Sequence, residues 1–224
     1  MASRQETDSQ TPMPDLVVVR EPDSEGAQAY RSVRETLRHS RSEKPIRSIL
    51  LADIGSGEHT GATAANLAAS FALNGNTTVL VDLDIARPAL SSLFLAPLTP
   101  GLLDWLEDSE QESAPELFPT RINPLSLLPS GSSSYTPERG ALADLFTDRA
   151  CQKLIDVLAP STDFVIFHGS MAPFSSQALT TAANVDAVLL IVRSGVTKRT
   201  DAQRAKESLQ RVGANLLGVV LSED

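Results

Sequence analysis

Five short stretches of the chain are apolar on both alternating faces: "RSILLAD" (47–53), "TTVLVDLD" (77–84), "DFVIFH" (163–168), "DAVLLIV" (186–192) and "LLGVVL" (216–221). Runs of this kind lack the in-out alternation of a half-exposed strand and suit a parallel sheet covered on both sides. Between them the apolar positions recur at helical spacing, over 61–74, roughly 139–158, about 175–183 and 198–211, and "LSLLP" (125–129) reads as one more strand. Upstream, Ser24 is placed to cap a helix reaching about Ser40, with Ala27, Tyr30, Val33 and Leu37 on one face and Arg31, Arg34 and Arg38 on another. "LVVV" (16–19) reads as an extended segment that Pro22 ends. Strands alternating with helices predict an α/β fold, a doubly wound, mainly parallel sheet flanked by helices. Residues 1–20 are expected to form a flexible N-terminal tail and 21–224 a single domain, in which the Ser-, Pro- and Glu-rich stretch 107–138 forms a flexible surface loop.

Charge and composition remove several functions. At 224 residues with a net charge of −9, the chain has neither the basic footprint of a nucleic-acid binder nor a polybasic membrane contact, so no nucleic-acid partner is expected. The lone cysteine, Cys151, excludes an intramolecular disulfide and suits a reducing cytoplasm, where it reads as a small buried hydrophobe. The opening "MASRQETDSQTPMP" has no apolar core of a signal peptide, and no stretch approaches about 18 consecutive apolar residues.

The stretch "LLADIGSGEHTGATAANLAASFAL" (50–73) carries the most chemistry. A strand runs into a glycine-rich turn and then a small-residue helix, the arrangement in which backbone N–H groups and a helix N-terminus face phosphate. The strict nucleotide pattern asks for Gly at 54 and 59, Lys at 60 and Ser or Thr at 61. The chain has Ile54, His59, Thr60 and Gly61, and no lysine lies between Lys44 and Lys153.

Taken colinearly, these elements resemble the cytoplasmic domain of the bacterial tyrosine kinases of capsular and exopolysaccharide assembly, within the P-loop group of partitioning ATPases. The resemblance spans about residues 20–222. "AYRSVRETLRHS" (29–40) is similar to the family's N-terminal helix, whose Glu-x-x-Arg-x-x-Arg motif serves ring assembly; here Arg31 and Arg34 match and Gln28 stands at the glutamate. "TAANLAASFALNGNTTVLVDLDIARPAL" (63–90) resembles the P-loop helix and the second acidic motif, with Asp82, Asp84, Arg87 and Pro88 in place. "DFVIFHGSMAP" (163–173) corresponds to a family strand that ends in an aspartate, and His168 occupies that place. "VDAVLLIVRSGVTKRTDAQRAKESLQRVGANLLGVVLS" (185–222) resembles the closing strand–helix–strand.

What the resemblance implies is a degenerate nucleotide site formed by Gly55, Ser56, Gly57, Glu58, His59, Thr60, Gly61, Ala62, Arg87 and His168, with Asp82 and Asp84 as remnants of the catalytic and metal-holding carboxylates. No cofactor is assigned; ATP or ADP with Mg²⁺ is the expected occupant if a nucleotide binds. Gln28, Arg31 and Arg34 are expected at an oligomer interface. The function implied is that of a non-catalytic regulatory or interaction subunit in cell-surface polysaccharide synthesis or export. Its expected partners are a transmembrane chain-length or co-polymerase protein, an intact paralogous kinase, or further copies in a homo-oligomer. It would lie in the cytoplasm, peripheral to the inner face of the plasma membrane through that membrane partner.

Two other readings stay open. One is an ATP-binding tyrosine kinase or ATPase with residual activity; the family's acceptor is a C-terminal tyrosine cluster, and the tyrosines here are Tyr30, expected to pack, and Tyr135, in the surface loop. The other is a dinucleotide-binding fold, because "GSGEHTG" (55–61) follows a strand, opens a helix and precedes Asp82 by 21 residues, counted from Gly61. A metal role for His168 finds no partner histidine at ligand spacing, and Ser170 in "HGSMA" lacks the glycine a nucleophile elbow needs.

Overall fold

The computed structural model describes residues 13–40, 44–54, 61–85, 87–107, 113–131, 145–171 and 175–222. Among them the strands β1 (Ser48–Asp53), β2 (Thr78–Asp82), β3 (Phe118–Pro119), β4 (Leu125–Leu128), β5 (Phe164–Ser170), β6 (Ala187–Arg193) and β7 (Leu216–Ser222) form one seven-stranded sheet in the order β3-β4-β2-β5-β1-β6-β7. Every pairing is parallel except β3 with β4. β1, β2 and β5 are buried along their whole length, as their continuous apolar runs predict for strands with neighbours on both sides and helices on both faces.

The helices are α1 (Val17–Arg20), α2 (Glu25–Arg38), α3 (Ala62–Leu73), α4 (Leu90–Phe94), α5 (Leu102–Glu107), α6 (Asp148–Leu158), α7 (Ser176–Asn184) and α8 (Arg199–Arg211). One apolar layer joins α1, α2, α3 and α4 to Ile49, Leu51, Leu80, Ile166 and Ile191. The other joins α5 to α8 to Leu50, Val81, Phe167, Val188 and Leu190. Side-chain oxygens cap three helices: Ser24 accepts from the Ala27 N–H, Thr147 from Ala150 and Ser175 from Ala178. α3 is rich in alanine and almost wholly buried, because small side chains let it lie between the sheet and α2.

The structure departs from the sequence expectations in four places. Residues 17–20 are helical rather than extended, and Leu16 and Val18, read as part of a flexible tail, are buried in the core. A short amphipathic piece gains more by docking on α2 and α3, where Asn66 accepts from the Val18 N–H, than by pairing with a sheet edge. Within the 107–138 stretch β4 falls where "LSLLP" predicts a strand, but β3, which was not expected, joins it in the sheet and Ile122, Leu125 and Leu127 are buried, so this part is not a surface loop; only part of the stretch lies among the described residues. Arg34, placed by periodicity on the polar face of α2, is buried. Its guanidinium donates to the Ser70 carbonyl at 2.8 Å and to Glu35 at 2.8 and 2.9 Å, so it caps a free carbonyl in the last turn of α3.

Candidate functional site at the carboxyl ends of the central strands

β2, β5 and β1 lie side by side, so the residues that end them are neighbours although they are far apart in the chain. Asp82 is in register with His168, and Asp53 with Ser170. In open parallel sheets this rim is where ligands bind. α3 begins directly above it. Its N-cap, Gly61, has φ 96°, and a Cβ there would sit 3.0 Å from Leu90 Cδ2 and 3.5 Å from His168 Cε1. The left-handed conformation favours glycine, and a larger residue would also press on the Leu90 side chain.

His168 and Asp82 are both 0 % exposed, and Nδ1 of the histidine lies 3.4 Å from Oδ1 of the aspartate. The same Oδ1 accepts from the Asp84 N–H at 3.0 Å, and Oδ2 accepts from the Leu90 N–H at 3.2 Å. Asp84 is buried next to them: its Oδ1 accepts from the Arg87 N–H at 3.1 Å, and the Arg87 guanidinium approaches Oδ2 to 3.6 Å and the Ser170 hydroxyl to 3.4 Å. Among the described residues Nε2 of His168 is buried without a hydrogen-bond partner, and the neighbouring Cε1 lies toward Gly61 at the start of α3.

The electrostatics follow from burial against charge. Burial pushes the His168 pKa down. The hydrogen bond that the imidazole donates to Asp82 and the charges of Asp82, Asp53 and Asp84 push it up, and together they win, leaving it above the ordinary histidine value. Burial raises the Asp84 carboxyl, with Arg87 and His168 pulling it down and Asp82 pushing it further up. Among the described residues the rim thus sets three acidic side chains against the imidazole and one arginine.

Of the residues expected at this site, Gly61, Ala62, Asp82, Asp84, Arg87 and His168 come together. Gly55, Ser56, Gly57, Glu58, His59 and Thr60 lie outside the described residues, as does Tyr135. Gln28, Arg31 and Arg34 are elsewhere. Arg31 and Arg34 line a cavity of about 490 Å³ with Val18, Leu73 and Asn74, at the far end of α3. Gln28 donates to the Asp23 carbonyl. Asp53 belongs to the site and was missed, although its signal was present: it closes an apolar strand in "LLAD" just as Asp82 does in "VLVD".

No family model matches the chain. It is 28 % identical over 210 residues to tyrosine-protein kinase YwqD of Bacillus subtilis, covering 92 % of this chain and 85 % of that one. Its structure superposes on that of the chimerical protein CapA2B2 with TM-score 0.79 and 28 % identity, over 92 % of this chain and 88 % of the other. Its homologues are bacterial tyrosine-protein kinases. A further homologue, the succinoglycan biosynthesis transport protein ExoP of Rhizobium meliloti, is 26 % identical over 208 residues, which is 92 % of this chain but 26 % of ExoP. The general setting of these homologues is capsule and exopolysaccharide biosynthesis. The cell division ATPase MinD of Pyrococcus furiosus, at TM-score 0.62 and 20 % identity over 78 % of this chain and 71 % of MinD, shares the P-loop fold alone.

Proposed function

We propose that the protein is a non-catalytic relative of these kinases, acting as a regulatory or interaction subunit in cell-surface polysaccharide synthesis or export. The observation that carries this reading is the buried His168–Asp82 pair. A Mg²⁺–nucleotide site needs free, hard oxygen ligands. Here both oxygens of Asp82 are engaged by donors of the chain itself, and a histidine with a raised pKa stands where the resemblance expects a carboxylate. An imidazolium at that place repels a divalent cation. The absence of any lysine between Lys44 and Lys153 supports the same conclusion from the phosphate side. In this reading the residues present do not fit Mg²⁺–ATP, and the protein's role lies outside phosphoryl transfer.

In this reading His168 supplies from within the fold a positive charge that keeps the three acidic strand ends together. The kinase-like shape then persists without nucleotide and is offered to partners. A membrane-bound co-polymerase or an intact paralogous kinase is the partner class, supported by the match to one segment of the much longer ExoP. No described helix is long and apolar enough to cross a membrane, so attachment would come through that partner. Assembly through α2 remains part of the proposal with Gln28 and Arg31 on its accessible side, whereas Arg34 is buried against α3.

A second reading, residual nucleotide binding through loop amides at residues 55–61, is favoured by the left-handed Gly61 at the start of α3 and by retention of Asp84 beside Arg87. The test is incubation of the purified chain with labelled ATP and Mg²⁺, alone and with a kinase-dead homologue as acceptor. The proposal expects no transfer to either. Label on tyrosine in this chain or in the acceptor would overturn it.

A further inference from the structure

A net charge of −9 averages over parts of the chain that differ in sign. Residues 187–222, which form β6, α8 and β7, hold six basic residues against Asp201 and Glu207 alone, while the rest of the chain holds 13 basic residues against 26 acidic ones. Five of the six, Lys198, Arg199, Arg204, Lys206 and Arg211, are exposed on α8 or at its N-cap. Among the described residues none of these five is in an ion pair, and Glu207 accepts from Gln203 instead.

Apolar side chains lie next to them. The turn from β6 into α8 carries Val196, 53 % exposed, and the Ser194 N–H donates to the Ser222 carbonyl, so this turn lies against the end of β7. There Val219 and Leu221 are 59 % and 60 % exposed. Val219 is in register with Leu190 and Leu221 with Val192, and Leu190 packs in the layer that holds α8. Paired residues point to the same side of a sheet, so both side chains stand on the α8 side.

We propose that this face, α8 with the turn before it and the outer side chains of β7, binds an anionic lipid surface. Clustered Lys and Arg beside exposed apolar groups is the composition with which a protein lies on a bilayer interface. Anionic headgroups would meet the free ammonium and guanidinium groups, and the acyl boundary would meet Val196 and Leu221. A solvated acidic polypeptide satisfies only the first. The negative net charge does not forbid the contact, because the Debye length is about 8 Å at physiological salt and a bilayer senses the nearest face. The β4 strand lies five strands from β7, roughly 24 Å at about 4.8 Å per strand, and its surroundings are screened. One helix binds weakly alone; a membrane-bound partner that holds the chain close raises its effective concentration at the bilayer. The contact leaves α2, in the layer on the opposite side of the sheet, open to protein partners.

Cosedimentation of the purified chain with vesicles of phosphatidylcholine, with and without phosphatidylglycerol, tests this. Binding should require phosphatidylglycerol, rise with its fraction, and fall by about tenfold between about 0.05 M and about 0.3 M salt. Arg199→Glu with Arg204→Glu should lower partitioning by at least about tenfold, with wild-type circular dichroism. Arg121→Glu with Arg149→Glu makes the same change in net charge away from α8 and should alter partitioning by less than about twofold. Val196→Ser should weaken the binding that persists at high salt. No binding to phosphatidylglycerol vesicles at low salt overturns the proposal, as does equal binding to phosphatidylcholine alone. Equal losses in the two double variants overturn it as well, since net charge and not this face would then govern. Wild-type binding by Val196→Ser at every salt, or release of the chain from vesicles by soluble polyglutamate at equal charge, would assign the face to an acidic polypeptide instead.

Discussion

Replacing His168 with asparagine keeps a polar side chain of similar reach beside Asp82 and removes the charge. Two unit charges 3.4 Å apart attract by about 5 kcal/mol at an effective dielectric near 20. Much of that is offset by the desolvation of a fully buried imidazolium, and breaking a buried pair on one side usually costs about 3–5 kcal/mol. We expect His168→Asn to lose about 3 kcal/mol near pH 6. The pH dependence has a definite sign. The folded-state pKa of His168 is raised above its unfolded value, so its contribution is complete below about pH 6.5 and is lost as pH rises through the folded pKa. Across that window wild-type stability falls by up to about 1.4 kcal/mol per pH unit through this group, and the gap to the variant narrows. Urea unfolding followed by the fluorescence of Trp105, the single and buried tryptophan, measures both chains from about pH 6 to about pH 9. A deficit that holds constant over this range, or a wild-type stability that rises with pH relative to the variant, would refute the charge assignment.

Arg34→Ala should destabilise the isolated monomer by about 2–4 kcal/mol in urea unfolding, because it strips the carbonyl of Ser70 of a charged donor; an Arg34 that served only subunit contacts would leave monomer stability unchanged. Leu95 holds φ 53° at the end of α4 while 57 % exposed, so Leu95→Gly should raise stability by about 0.5–1 kcal/mol on relief of that strain, read as a shift in the urea midpoint. Burial lifts the Cys151 thiol to about 12, against a smaller opposing hydrogen bond from Thr181, so it should resist a thiol reagent at neutral pH in the native chain and react fully in urea.

The parallel core was legible because β1, β2, β5 and β6 are apolar on both faces, and few alternatives accommodate such runs outside a covered sheet. The start of α2 followed from the oxygen cap at Ser24. The short pieces were not legible. α1, α4 and β3 hold too few residues to show a period, and they owe their form to the surface they dock on. Arg34 was misplaced because periodicity registers an arginine as polar and cannot see that a helix end lies within its reach. The site was half readable. Gly61, Asp82 and His168 could each be singled out, but the contact between His168 and Asp82, 86 residues apart, depends on β5 lying next to β2. Strand order does not appear in local pattern, although Asp53 carries a local signal of its own as the residue that closes the apolar strand "LLAD".

The central claim is that a resident histidine replaces the metal–nucleotide chemistry of the homologues. Calorimetric titration of the purified chain with ATP and ADP, each with and without Mg²⁺, tests it most directly. The account predicts no heat of binding at millimolar nucleotide and no effect of Mg²⁺. Micromolar binding that requires Mg²⁺ would contradict it, because the cation would then have displaced the His168–Asp82 pair from the rim of the sheet.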